Sequence, residues 1–251
     1  MTQNRNYLRK DLEILYGLAA GRCSLPDCRR RVVLISAAGT VQQIGKIAHI
    51  VGHSERGPRG DPSYPRGKVD NYDNLVLLCP TCHDIVDAQE EKYSVDDLRR
   101  IKANHERWVE EQLKAEIVGV TCAELEVVTM ALLASPDSGP EDFSLVPLDK
   151  KIIQNELTDR TRWLLRLGLS KITEVKSFVE QVSVRDGTFP TRLRNGFSKE
   201  YKNLRNSGLS GDSLFEAMRN FAIGGHLEFV EQAAGLAVLT YFFEMCEVFE
   251  K

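Results

Sequence analysis

The stretch 78-LCPTCHDIVD-87 decides how this chain reads. Cys79 and Cys82 form a short-spaced pair, His83 follows at once, and Asp87 stands four residues beyond it. An upstream counterpart, 23-CSLPDC-28, supplies Cys23 and Cys28. Tetrahedral zinc is most often held by two such knuckles, each giving two thiolates from a tight turn. Four thiolates close the coordination sphere, and closed sites are structural, so His83 is left for other chemistry. Cys122 and Cys246 have no short-spaced partner and read as small core residues on helical faces.

Working outward, 75-LVLLC-79 reads as a strand running into Pro80, with a short helix from about Cys82 through Asp87. Upstream, 32-VVLIS-36 and 44-IGKIAHIV-51 are short apolar pieces, the second carrying His49. Between them and the strand lies 52-GHSERGPRGDPSYPRGKVDNYDN-74, a long loop rich in Gly, Pro and charge. Loops of that length in compact domains tend to be functional or disordered. Leu8, Leu12, Leu15 and Leu18 mark one face of an N-terminal helix, and 95-VDDLRRIKANHERWVEEQLKAEI-117 a second, long helix. The segment 134–147 is a linker by its Pro, Gly, Ser and Asp content. Beyond it everything reads helical, in pieces near 149–168, 171–183, 197–206, 212–223 and 226–249. The expected fold class is α+β: an N-terminal zinc-bearing domain (1–118), a connecting helix and linker (119–147) and a mainly α-helical C-terminal domain (148–251).

Composition bounds the partners. Formal net charge is −3, so only a local basic patch would serve nucleic acid. Residues 1–120 carry 18 Lys and Arg against 17 Asp and Glu, and residues 121–251 carry 15 against 19. The opening MTQNRNYLRK has no apolar core, and the longest apolar run, near 233-AAGLAVLTYFF-243, is shorter than the roughly 18–20 residues that span a bilayer. The expected location is the cytoplasm, where six cysteines point to metal before disulfides.

A second constellation surrounds the knuckle. His83 and Asp87 stand at i and i+4 of the short helix and share a face. An imidazole and a carboxylate so placed can hold a divalent ion while leaving positions open, as catalysis requires. His49, on the preceding strand, is a candidate general base. Asn74, just before the next strand, is a candidate for holding the loop or orienting the His49 ring.

These residues, in "IAHIVGHSERGPRGD" and "NYDNLVLLCPTCHDIVD", resemble the HNH (ββα-metal) endonucleases of the four-cysteine zinc type, over about residues 20–112. The three letters fall on His49, Asn74 and His83. The resemblance implies hydrolysis of a DNA phosphodiester with Mg2+ or a similar ion. His49 would activate the water and His83 would bind the metal. Asn74 would fix the loop and the His49 ring, and Asp87 would be a further ligand. Ala48 departs from the family, many members of which place a ligand there; Asp61 and His53 are the loop's candidates to replace it. Arg56, Arg59, Arg66 and Lys68 in the loop, with Arg29–Arg31 after the first knuckle, are candidates to contact phosphate. His105 reads as structural and His226 as a cap or surface residue.

"AHI…GPRGD…LCPTCH" further resembles nuclease domains of bacterial anti-phage effectors, among them the HNH–SAVED effectors of cyclic-oligonucleotide signalling. "LDKKIIQNELTDRTRWLL", "SGLSGDSLFEAMRNF" and "LTYFFEMCEVFEK" are similar to the C-terminal domain of effectors in ABC three-component conflict systems. That likeness implies a helical domain docking onto protein partners and placing the nuclease under an ABC-type ATPase. The apolar last segment also suits a homodimer. Three readings follow: a controlled metal-dependent DNA endonuclease, a non-catalytic zinc module binding DNA or protein, and a restriction-like nuclease whose helical half reads DNA. The net acidity of that half opposes the last.

Overall fold

Two short antiparallel ladders organise the first half of the chain. Strand β1 (Val33–Ile35) pairs with β2 (Val41–Gln43), and β3 (Lys46–His49) with β4 (Leu75–Leu78). In the second ladder Ala48 faces Val76 and His49 faces Leu75. The computed structural model describes residues 5–35, 41–133, 147–245 and 248–249. The linker expected at 134–147 falls, Pro147 aside, outside the described residues, as does Cys246. The chain divides into two compact units, Met1–Glu111 and Gln112–Lys251.

In the first unit, helix α1 (Arg9–Leu18) buries Leu15 and Leu18, whereas Leu8 precedes its first turn and is exposed. Every residue of β4 is buried, so a continuous apolar run, rather than alternation, was its mark in the sequence. Helix α2 (Pro80–Ala88) follows β4 directly. Pro80 occupies its first turn, where no amide is needed, and Cys79 is the N-cap residue. Cys82 and Val86 face inward, which leaves His83 and Asp87 along a neighbouring, more accessible stripe. Helix α3 (Val95–Glu116) opens with Ser94, whose hydroxyl accepts from the Asp97 amide while Asp97 accepts from Ser94.

The second unit is helical. Helix α4 (Cys122–Met130) belongs to it and begins with a capping box between Thr121 and Glu124. Cys122 is exposed on the first turn while Leu125 and Val128 turn inward, which corrects the expected core placement. The piece expected at 149–168 is two helices, α5 (Leu148–Gln154) and α6 (Asp159–Leu169), parted where Glu156 takes a left-handed conformation (φ +55°). Helix α7 is Ile172–Arg185. Helix α8 (Phe189–Asn206) starts ahead of the piece expected at 197–206, with Pro190 in its first turn, where proline is tolerated. Helix α9 is Gly211–Ala222, and α10 (Phe229–Glu244) is the apolar piece near the end. It is buried along nearly its whole length, from Gln232 to Phe243, so its all-round apolarity serves the core of this unit. Gly168 of α6 makes room for it: a Cβ there would lie 2.2 Å from Thr240 Oγ1. Among the described residues no helix is long and apolar enough to cross a membrane.

Candidate metal centre and active site

The four knuckle cysteines converge. Sulfurs of Cys23, Cys28, Cys79 and Cys82 all lie within 4.8 Å of one another, and among the described residues no other group of three or more His, Cys, Asp or Glu does so. Cys28 and Cys79 sulfurs are 3.8 Å apart, close to the spacing of about 3.8 Å set by 2.3 Å zinc–sulfur bonds at tetrahedral angles. Local backbone builds each half. The Cys28 amide bonds Leu25 O at 3.1 Å to close the first turn, and the Cys82 amide points at Cys79 Sγ at 3.4 Å in the second. Ser24 N donates to Leu77 O at 2.8 Å, tying the first knuckle to β4. Without a cation, burial pushes the Cys23 thiol up to about 11 and the Cys82 thiol up as well. Burial also opposes ionisation of Cys79, yet the Cys82 amide and the neighbouring thiols bring that group below its ordinary value. A dication would favour all four thiolates at once. The residues therefore fit a structural zinc. A second layer braces them: Arg29 lies 4.4 Å over the Trp108 ring, donates to Ser24 O and contacts His105, whose Nε2 meets Ala19 O at 3.1 Å. Arg29 is thus engaged in the fold, whereas His105 has the structural role read for it.

His49 closes β3 with its side chain 6% exposed. Its Nε2 is 2.8 Å from Asp70 Oδ1, its ring stacks on Tyr7 at 5.8 Å, and the His53 ring lies 5.1 Å away. Burial holds the imidazole below the ordinary histidine range, with the Asp70 bond acting the other way. Asp70, against its own desolvation, is held low by the Asn6 amide and by His49. The sequence reading missed Asp70; its only signal was a carboxylate four residues before Asn74 in 69-VDNYDN-74.

Asn74 is 2% exposed and makes three bonds, none to the His49 ring. Its Oδ1 accepts from Val51 N, and its Nδ2 donates to Val51 O and Val69 O. Of the two roles considered, it takes the loop-holding one.

His83 and Asp87 do share a face, with His83 Nδ1 3.6 Å from Asp87 Oδ2 and 3.7 Å from Asp84 Oδ1. The other Asp87 oxygen accepts from Arg59 Nη2 at 2.6 Å. Arg59 is not a phosphate contact of the loop: its side chain is 4% exposed and also donates to Ile50 O, Val86 O and His49 O. It sits in the left-handed region (φ +55°), and those bonds hold it there. Arg59 ties the backbone at His49 to the carboxylate at Asp87; no hydrogen bond, ion pair or ring contact joins His49 to His83 directly among the described residues.

The rest of the loop is more open. Asp61 is exposed, its Oδ1 engaged by the amide and hydroxyl of Ser63. Arg66 donates to His53 O at 2.9 Å and pairs with Glu55. Arg56 and Lys68 are exposed, with no side-chain hydrogen bond or ion pair among the described residues. Gly52 and Gly60 bridge strand-fashion, and a Cβ on either would fall 2.2 Å from Pro58 O or 2.4 Å from Glu55 O. Two closures therefore shape the loop, at Gly52–Gly60 and at Val51–Val69–Asn74. No known protein family and no curated protein matches the chain.

Proposed function

We propose that this chain is a metal-dependent DNA endonuclease of ββα-metal type, built on a structural zinc. One observation carries the reading: an antiparallel hairpin runs straight into a short helix, with His49 ending its first strand, Asn74 clamping its loop, and His83 and Asp87 on one face of the helix. His49, kept neutral by burial, suits acceptance of a proton from water at neutral pH. His83 and Asp87 would hold a divalent cation, which would neutralise phosphate charge and polarise the attacked group. Arg56, Arg66 and Lys68 are the exposed cations of the loop and would position the DNA backbone. The second unit is read, from its sequence likeness alone, as the part through which partners such as an ABC-type ATPase restrain the nuclease in anti-phage defence.

The test is supercoiled plasmid with Mg2+, Mn2+ or Ni2+. Nicking is expected, with His49→Ala slower by about 10²–10⁴-fold and His83→Ala, which removes a metal ligand, also slower, while the circular-dichroism melt of each is retained. Undiminished cleavage by His49→Ala removes that residue from the reaction.

A second reading, a non-catalytic zinc module, is favoured by two details. Ala48 is 2% exposed and offers no ligand, and Asp87 is already paired with the buried Arg59. DNA binding without cleavage under every metal would select it.

A further inference from the structure

We propose that Asp70 is the positioning residue of His49, fixing the ring so that Nδ1, not Nε2, is the nitrogen that takes the proton. This rests on the nuclease reading and extends it to a residue outside the three motif letters. An ionised carboxylate only accepts hydrogen bonds. At 2.8 Å from Asp70 Oδ1, His49 Nε2 must therefore carry the hydrogen of the neutral ring. The one remaining lone pair is on Nδ1, and no described residue bonds it.

Asp70 is itself held from two sides. Its other oxygen accepts from Asn6 N at 2.8 Å, and Val69, one residue before it, is fixed by Asn74. Tyr7 against the ring face limits rotation of the imidazole. His53 Nε2 stands 3.8 Å from the same Oδ1, beyond hydrogen-bond reach but near enough to share the carboxylate's charge. Asp70 thus does for His49 what an orienting carboxylate does for a base: it selects the tautomer and stabilises the imidazolium formed on proton transfer.

Two measurements on the zinc-loaded full chain decide it. Long-range 15N–1H correlation of the imidazole rings reads the His49 tautomer directly, and with five histidines the spectrum is sparse. The Nε2–H form is expected in the wild type; the Nδ1–H form overturns the proposal whether or not DNA is cut. Plasmid nicking kinetics of Asp70→Asn are expected to show a kcat lower by at least about 10-fold, part of the roughly 10²–10⁴-fold that a positioned base contributes, and an unchanged KM. Full kcat in Asp70→Asn alongside an active wild type overturns the positioning role and leaves the nuclease reading standing. Absence of cleavage by the wild type with any metal, in a protein whose His49 is the Nε2–H tautomer, overturns the nuclease reading and with it the catalytic role of Asp70, while the bond itself stands.

Discussion

The two units solve the problem of stability by different means. The first has strands of three or four residues, too short to stand alone, and it joins them with side chains of particular identity: four cysteines, Asn74, Arg59 and Asp70. The second surrounds one apolar helix with others and fills the space with rings, such as Phe197 stacked at 4.6 Å on Phe242 and edge-on to Phe221. Even there, charge is buried: Lys151 Nζ donates to Phe243 O at 2.7 Å, and Glu216 pairs with Arg219 at 2.7 Å, each partner 2% exposed. The first unit depends on a few irreplaceable atoms, the second on area. Single substitutions should therefore act locally and sharply in the first, and in proportion to volume or desolvation in the second.

The largest effect expected is from the metal. Structural zinc in small domains contributes on the order of 10 kcal/mol to folding. Chelation, or Cys23→Ser, should abolish amide-exchange protection across residues 5–111 while that of 147–245 persists. Uniform loss in both units would erase the contrast. Next, Arg219→Ala leaves the Glu216 carboxylate buried without its partner and should cost about 3–5 kcal/mol in urea unfolding. Phe197→Ala, by the cavity it opens, should cost about the same. Asn74→Ala removes three bonds of a buried amide and strands the Val51 amide; about 2–4 kcal/mol is expected from bonds of this kind, with exchange of residues 51–74 rising first. At the low end, Asp61→Ala touches an exposed carboxylate bonded only within its own turn. It should change stability by less than about 0.5 kcal/mol, and an equally small change in nicking rate would remove Asp61 as a candidate ligand.

How much was legible in the sequence follows the same division. Short spacing made each cysteine pair legible, because each turn brings its own two sulfurs together before any tertiary contact forms. β4 and α2 were visible for the same local reason, an apolar run ending in Cys-Pro. Apolar periodicity found the helices of the second unit but not the break at Asn155–Thr158, where an apolar pattern continues through a left-handed Glu156. What stayed hidden were the long-range polar contacts. Arg59 and Asp70 look like any charged residues of a polar loop, and only the folded path brings them to Asp87 and His49, 28 and 21 residues away. Arginine in a loop reads as a phosphate contact until its guanidinium is found surrounded by carbonyls. Exposed Cys122 shows the converse: apolar character alone does not say which way a helix turns.

The two closures of the long loop have a consequence for how this chain can change. Gly52–Gly60 seals the loop's near half against Arg59, and Asn74 seals its far end against Val51. Between the seals, residues 61–68 are all exposed except Tyr64, which is half-buried. Apart from Arg66, which donates to His53 O and pairs with Glu55, their side chains make no hydrogen bond or ion pair to the frame among the described residues. That segment is the natural cassette of the molecule, where sequence could be exchanged to retune what lies against it while the hairpin and its histidine stay in register.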